Sequence, residues 1–278
     1  MDLAGRQQIM IPAISNREPR QTDHDLTLVI PAFNEEMRLP KTLTDVKSYL
    51  DDWGINYRVI VVDDGSRDAT AIITDAYGSR FSTIRQPNGG KGSAVRRGML
   101  AAHGRVVAFT DADLPYDLAA LKAAYQTINQ QRCDVVFGSR TMEGSETRVE
   151  RRLMRTIAST VFRTMMMLLV SRKVVDTQCG LKIFCQRAAR KIFSQSLVNG
   201  FAFDAEVVYL THLYRLSFQT LPVTLVNDYA TTISLTRNAI PMLADVVNVR
   251  FRAFRGGYNS TVDSSIDVPF IESVKEAA

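Results

Sequence analysis

Three short apolar runs in this chain each end in a cluster of acidic residues whose types and spacing suit the holding of a cation and a phosphate. Ile30 leads into Pro31-Ala32-Phe33-Asn34-Glu35-Glu36, Val62 into Asp63-Asp64-Gly65-Ser66, and Phe109 into Thr110-Asp111-Ala112-Asp113. Asp111 and Asp113 offer two hard oxygen ligands to one divalent ion and leave its other positions for diphosphate oxygens. Carboxylates gathered in one crevice repel one another unless a cation neutralises them, so Mg²⁺ or Mn²⁺ is the expected cofactor. A glycine-rich segment, Asn88-Gly89-Gly90-Lys91-Gly92-Ser93, opens a helical stretch from Ala94 to Ala102. Glycines let backbone approach a ligand closely, and Lys91 can meet a phosphate there. The spacing is not that of a Walker A loop, and a flexible turn with a solvated lysine fits the same residues.

The elements that must position these residues alternate. Leu26–Ile30, Val59–Val62, Val106–Phe109 and Val135–Phe137 read as buried strands separated by helical stretches. That alternation predicts an α/β fold with a mostly parallel sheet covered by helices on both faces. In such sheets ligands bind outside the carboxyl ends of the strands, so the acidic clusters should converge on one crevice. The chain has 278 residues, 46% of them apolar, enough for one large domain. Residues 1–24 and 257–278 lack periodic apolar patterning and are read as tails around a folded unit over 25–256, with its acceptor- and membrane-facing part at about 140–256.

Charge and cysteine usage narrow the classes. Lys and Arg total 34 against 29 Asp and Glu, a net charge of +5 that suits phosphate-bearing or membrane-surface partners. The basic residues are interleaved with carboxylate clusters, which argues against nucleic acid. Cys133, Cys179 and Cys185 form no C-x-x-C pair and are odd in number, which predicts reduced thiols in a cytosolic setting. No targeting signal is apparent at the start, and the longest candidate span, Thr164 to Ser171, falls far short of the roughly 20 apolar residues a membrane crossing needs.

Two segments suit a membrane surface instead. From Arg148 to Ser171 the pattern is helical, with Arg148, Arg151, Arg152, Arg155 and Arg163 inside an arc of about 120° and Leu153, Met154, Ile157, Val161, Met165 and Leu168 opposite. Such a helix can lie among lipid headgroups, and an ordinary surface helix packed on the core has the same pattern. Pro241 to Arg255 is a second candidate, with Val246, Val247, Phe251 and Phe254 on one side and Arg252 and Arg255 on another. Asp204 and Glu206 would share a face on a strand and diverge by about 200° on a helix, where Asp204 could also serve as a cap. His24, His103 and His212 have no ligand-like spacing.

Taken together, Pro31–Glu36, Asp63-Asp64-Gly65-Ser66 with Asp68 and Thr70, Asn88–Gly92, Asp111-Ala112-Asp113 and Gly138-Ser139-Arg140 occur in the order and spacing of family 2 glycosyltransferases of the GT-A fold. Asp176–Lys182 and Phe201–Glu206 narrow the resemblance to the branch that passes a hexose from a nucleotide sugar to a polyprenyl or dolichyl phosphate, nearest its glucose-transferring members. The resemblance covers about residues 26–256. It implies metal-dependent, inverting transfer, with UDP-glucose as donor and attachment to the cytoplasmic face of a membrane. Pro31, Phe33, Glu35, Asp63, Asp64, Lys91, Asp111, Ala112 and Asp113 would bind the donor, and Asp111 and Asp113 the metal. Arg140, Arg152, Arg155, Gln178, Lys182 and Glu206 would serve the acceptor, and Asp113, Asp204 and Arg140 the chemistry. Two departures stand out. Pro115 occupies the place where relatives often carry a third metal-ligating side chain, leaving Asp117 as the nearest carboxylate, and the Gly-x-Ser-Lys segment expected near Thr231–Arg237 is represented only by Ser234 and Arg237. Other readings are transfer from GDP-mannose or UDP-N-acetylglucosamine, and a non-catalytic nucleotide-sugar-binding scaffold.

Overall fold

A computed structural model describes residues 24–147, 176, 179–227 and 235–258. Its strands are β1 (Leu26–Ala32), β2 (Tyr57–Asp63), β3 (Phe81–Arg85), β4 (Val106–Phe109), β5 (Val135–Ser139), β6 (Glu146–Thr147), β7 (Lys182–Cys185), β8 (Phe218–Pro222) and β9 (Thr224–Leu225). The helices are α1 (Leu39–Trp53), α2 (Lys91–Ala101), α3 (Ala119–Asn129), α4 (Gln186–Phe193), α5 (Phe203–Leu213) and α6 (Leu235–Phe254), with a 3₁₀ helix over Ala69–Tyr77.

Seven strands form one sheet in the order β3-β2-β1-β4-β7-β5-β8, and β6 pairs with β9 separately. All neighbours in the large sheet run parallel except β7, which is antiparallel to both β4 and β5. Both faces of the central strands are buried. Leu28, Ile30, Val59, Val61, Ala108 and Val136 pack toward α1 and α3, while Val29, Val62, Val107, Phe109 and Phe137 pack toward α2, α4 and α5. Strands covered on both faces must be apolar at nearly every position, which is why these runs are continuous rather than alternating.

The four expected strands are present, and each of β1, β2 and β5 runs further than expected, to Ala32, Asp63 and Ser139. The parallel strands β1, β2, β4 and β5 all end at one edge, where the reversed strand β7 begins. Reversal of β7 therefore delivers Gly180, Leu181 and Lys182 to the same edge as the acidic clusters.

Three expectations need adjustment. α6 begins at Leu235 rather than near Pro241. Its Val246 faces the core with Val249, whereas Val247, Phe251 and Phe254 remain exposed, so the expected four-residue apolar side is divided between two faces. The packed unit also reaches past Gly256, because Tyr258 is buried, stacks near Tyr209 at 6.0 Å and donates to Glu206 Oε1 at 2.7 Å. The expected helix carrying Arg152 and Arg155 lies outside the described residues, as do Gln178 and Ser234 and the side chain of Arg237.

Candidate active site

The first two acidic loops are stitched to each other. Asn34 N–H donates to Ser66 Oγ at 2.9 Å, Glu35 N–H to Thr70 Oγ1 at 2.8 Å, and Glu36 N–H to Asp68 Oδ2 at 3.2 Å. In return Arg67 N–H donates to Asn34 Oδ1 and Ala69 N–H to Glu36 Oε2, both at 3.0 Å. Asp68 and Thr70 thus fix the loop over residues 33–36. The ring of Phe33 stays 45% exposed on that loop, an apolar face open to a ligand.

Asp63 and Asp64, both expected on the donor, face inward. Asp63 has no exposed surface, and its carboxylate accepts from Ser66 N–H and from Arg85 Nε. Asp64 accepts from Gln86 Nε2 at 2.7 Å, Gly89 N–H at 2.9 Å and Gly90 N–H at 2.8 Å, so it shapes the glycine loop. Gly90 there has φ +93, and a Cβ on it would sit 2.6 Å from Asn199 O, which only glycine avoids. Asn199 O in turn accepts from Gly92 and Ser93 N–H at 2.8 and 3.2 Å. These contacts anchor the first turn of α2, where Lys91 projects to Asp111 Oδ1 at 2.5 Å.

The Asp111-Ala112-Asp113 turn is held from below. Thr42 Oγ1 in α1 donates to the carbonyl of buried Ala112 at 2.6 Å, and Leu114 N–H to Asp111 O at 3.0 Å. Leu114 adopts φ +43, a left-handed conformation that costs a non-glycine residue free energy and is concentrated at functional turns. Burial, reinforced by the Asp111 charge, raises the Asp113 carboxyl above its ordinary range, and Lys91 and Arg38 oppose the shift. Glu35 is raised by burial against the pull of Arg38, which it meets at 2.8 Å, with Asp113 adding to the rise. Lys91 shows the complementary effect: burial would lower it, but Asp111, Asp204 and Asp113 outweigh burial and hold the ammonium charged.

Among the described residues no group of three or more His, Cys, Asp or Glu side chains could hold a metal ion by itself. Two hard carboxylates with the remaining ligands supplied by substrate phosphates and water is the usual arrangement for Mg²⁺, so Asp111 and Asp113 fit such an ion. Asp117 is not placed to add a third ligand, because its carboxylate accepts from Ala119 N–H at 2.8 Å and caps α3. Pro115 contributes only its carbonyl, which accepts from Val226 N–H.

Beside this turn Arg140 is fixed by Asp176. The carboxylate accepts from Arg140 N–H at 2.9 Å, Nε at 2.8 Å and Nη2 at 2.7 Å, which leaves other guanidinium donors for a ligand. Burial would raise Asp176, but the guanidinium outweighs it and holds the carboxyl below the ordinary range. Tyr116, whose hydroxyl accepts from Gly180 N–H, lies within electrostatic reach of Arg140, Asp176 and Asp111, so the arginine and the metal-binding turn share one neighbourhood.

Lys182, expected on the acceptor pocket, is instead a core residue. Its ammonium is 1% exposed and donates to Asp204 Oδ1 at 2.5 Å and to Cys179 O at 2.7 Å. The reason is the antiparallel entry of β7, which turns this side chain under the sheet edge toward α5. Glu206 is likewise withdrawn: its carboxylate accepts from Leu197 and Val198 N–H, each at 2.9 Å, and from Tyr258. Asp204 and Glu206 sit in the first turn of α5, so the helical alternative holds and the two carboxylates diverge. Cys179 is buried, and burial pushes its thiol up to about 11, in keeping with packing rather than reactivity. The three cysteines are unbonded.

Sequence reasoning missed Arg38, the electrostatic neighbour of Asp113 and Glu35. Its spacing of three residues from Glu35 at the start of α1 was the available signal. It also missed the segment Val198–Gly200, which works through backbone carbonyls and therefore leaves no side-chain signature.

Comparison with known proteins agrees with this arrangement. The dolichyl-phosphate β-glucosyltransferase of Dictyostelium discoideum is 30% identical over 272 residues, spanning 92% of this chain and 83% of that one. The Drosophila melanogaster protein of the same name is 35% identical over 216 residues, spanning 72% and 66%. Among solved structures, glucosyl-3-phosphoglycerate synthase of Mycobacterium tuberculosis with Mn²⁺, UDP and glucosyl-3-phosphoglycerate superposes with a TM-score of 0.59 at 19% identity, covering 87% of this chain and 82% of that one. Mannosyl-3-phosphoglycerate synthase of Rubrobacter xylanophilus gives 0.59 at 14% identity, covering 87% and 78%. These neighbours share the GT-A fold seen here. The sequence profile of Glycosyl transferase family 2 matches residues 27–193, through the interlocked acidic loops and the Asp111–Asp113 turn, and the chain belongs to that family.

Proposed function

We propose that this glycosyltransferase transfers glucose from UDP-glucose to a dolichyl-type polyprenyl phosphate, depending on a divalent cation and inverting the anomeric carbon. The observation that carries the reading is the pairing of two sites at one strand edge. Lys91, Asp111 and Asp113 form a place for a cation and a diphosphate, and Arg140, braced by Asp176, stands nearby with donors to spare. The names of the relatives support glucose and dolichyl phosphate, and the neighbours solved with UDP and Mn²⁺ or Mg²⁺ support the nucleotide and the metal.

In this reading the exposed Phe33 ring stacks on the base and Lys91 meets the diphosphate. Asp111 and Asp113 hold the ion, which when bound supplies neutralising charge to the leaving group. Arg140 orients the acceptor phosphate. A phosphate monoester has a second pKa near 6, so it arrives largely ionised and the enzyme's work is alignment rather than proton removal. Asp204, locked to Lys182, is therefore a positioning residue, and Glu206 belongs to the scaffold.

No helix among the described residues is long and apolar enough to cross a membrane. Contact with the acceptor's membrane falls to the exposed stripe of α6, where Val247, Phe251 and Phe254 are flanked by Arg250 and Arg255. Unbonded thiols fit the cytoplasmic side. The test is incubation of the purified chain with radiolabelled UDP-glucose, GDP-mannose or UDP-N-acetylglucosamine, each with polyprenyl phosphate and Mg²⁺ or Mn²⁺. Label reaching the lipid phase from UDP-glucose supports the reading, and label only from another donor overturns its choice of sugar.

A further inference from the structure

We propose that Lys91 is an exchangeable counter-ion for Asp111: it occupies this carboxylate while the donor is absent and transfers to the diphosphate when metal and nucleotide arrive together. The inference rests on the metal-dependent reading above. It concerns the order of events at that site and makes metal affinity conditional on nucleotide.

The geometry leaves Asp111 little open coordination space. On one side a Cβ at Gly180 would overlap Asp111 Oδ2, so the backbone of Gly180 closes that approach. On the other, Lys91 Nζ stands 2.5 Å from Oδ1. A divalent ion reaching Oδ1 would therefore meet an ammonium already in place, and two like-charged groups cannot share that oxygen without strong repulsion. Either the ion stays out or the lysine leaves.

The lysine can leave while its backbone stays put. Gly92 and Ser93 N–H are both bonded to Asn199 O, and Ala94 N–H to Gly90 O, so the start of α2 is anchored. Only the flexible four-carbon stem need turn, and the Lys91 side chain is 23% exposed, which gives it an outlet to the crevice. Its other anionic neighbours do not compete for it. Asp204 is committed to Lys182 at 2.5 Å, and Phe203 backs the ammonium with its ring at 6.0 Å. An incoming diphosphate is the one partner that arrives with the displacing ion and carries enough negative charge to receive the lysine. Metal alone would expel Lys91 without offering it a new anion, whereas metal with diphosphate supplies both halves of the exchange.

The test is Mn²⁺ binding followed by electron paramagnetic resonance on the purified full chain, without sugar transfer. Wild type, Lys91→Met, Lys91→Arg and Asp111→Asn are titrated with Mn²⁺, each with and without UDP, and circular dichroism checks their folding. Wild type should bind Mn²⁺ weakly alone and at least about tenfold tighter with UDP, a gain that Asp111→Asn abolishes. Lys91→Met should bind Mn²⁺ alone about tenfold tighter than wild type and lose most of the gain from UDP, while Lys91→Arg keeps the wild-type pattern. If wild type and Asp111→Asn bind Mn²⁺ alike with UDP present, the metal reading itself fails and the exchange fails with it. If Asp111-dependent binding is seen but Lys91→Met leaves the nucleotide-free affinity unchanged or weaker, the metal reading stands and the exchange is overturned. Should Lys91→Met fold poorly, Lys91→Gln carries the same expectation.

Discussion

Lys182→Met should destabilise the protein severely, and the structure sets the scale. The ammonium is 1% exposed and the Asp204 side chain 5%, with 2.5 Å between them and the Cys179 carbonyl as the lysine's second acceptor. Methionine fills most of the same volume, so the main effect is a buried carboxylate left without its cation. Breaking such a pair by removing one partner costs about 3–5 kcal/mol, against a total stability of about 5–15 kcal/mol for a folded domain. At roughly 2–4 °C per kcal/mol for a domain of this size, the melting temperature should fall by about 6–20 °C. Thermal unfolding followed by circular dichroism reads this directly. The double variant Lys182→Met/Asp204→Leu removes the stranded charge as well and should recover most of the loss, because a buried pair replaced by apolar side chains is close to neutral. Transfer should stay at least about tenfold down in that restored protein, since Asp204 also helps to hold the charge of Lys91. A single variant melting within about 2 °C of wild type would refute the reasoning, since a solvated pair loses little when broken.

Other perturbations separate the parts of the site. Asp113→Asn should lower transfer by at least about a hundredfold with the fold intact, and EDTA should reproduce the loss; full turnover in excess EDTA would remove the metal from the mechanism. Asp176→Asn should free Arg140 and raise the Michaelis constant for polyprenyl phosphate about tenfold, with that for UDP-glucose within about twofold. Because Arg140 holds the Asp176 carboxyl below its ordinary range, the stability it contributes is complete above its unfolded pKa of about 3.9 and is lost as pH falls through the lower folded value. The melting gap between wild type and Asp176→Asn should thus be flat from about pH 5 to 8 and close below about pH 4; a gap that widens in acid would contradict the pairing. Phe251→Glu or Phe254→Glu should weaken sedimentation with vesicles containing anionic lipid about tenfold or more, given about 1.5–3 kcal/mol for burying such a ring, and unchanged binding would exclude α6 from the membrane contact.

What the sequence revealed follows from which interactions leave a pattern. β1, β2, β4 and β5 were legible because burial on both faces demands continuous apolar runs, and their polar ends pointed to the crevice. β3 and β8 are edge strands with mixed exposure, Phe81–Arg85 and Phe218–Pro222, so they carry little signal of their own. β7 was hidden for a different reason. Its run Ile183-Phe184-Cys185 is short, and nothing local tells a strand that it will be antiparallel. That single reversal decides the fate of Lys182, which residue type alone assigns to a pocket and topology assigns to the core. Asp63, Asp64 and Glu206 illustrate the same limit: a carboxylate beside a glycine loop can hold a ligand or hold the loop, and only the position of the backbone N–H groups distinguishes them. Lys91 and Asp111, twenty residues apart in sequence, were both named as site residues, but their direct contact needed the fold.

The most direct test of glucose transfer to a lipid phosphate uses purified chain, UDP-[¹⁴C]glucose, dolichyl phosphate in vesicles and Mn²⁺, with Asp113→Asn as control. The expected result is a labelled lipid that forms with wild type only, requires the divalent ion and releases its glucose to a β-specific glycosidase. A protein that binds UDP-glucose and Mn²⁺ but leaves all label in the aqueous phase would contradict that assignment.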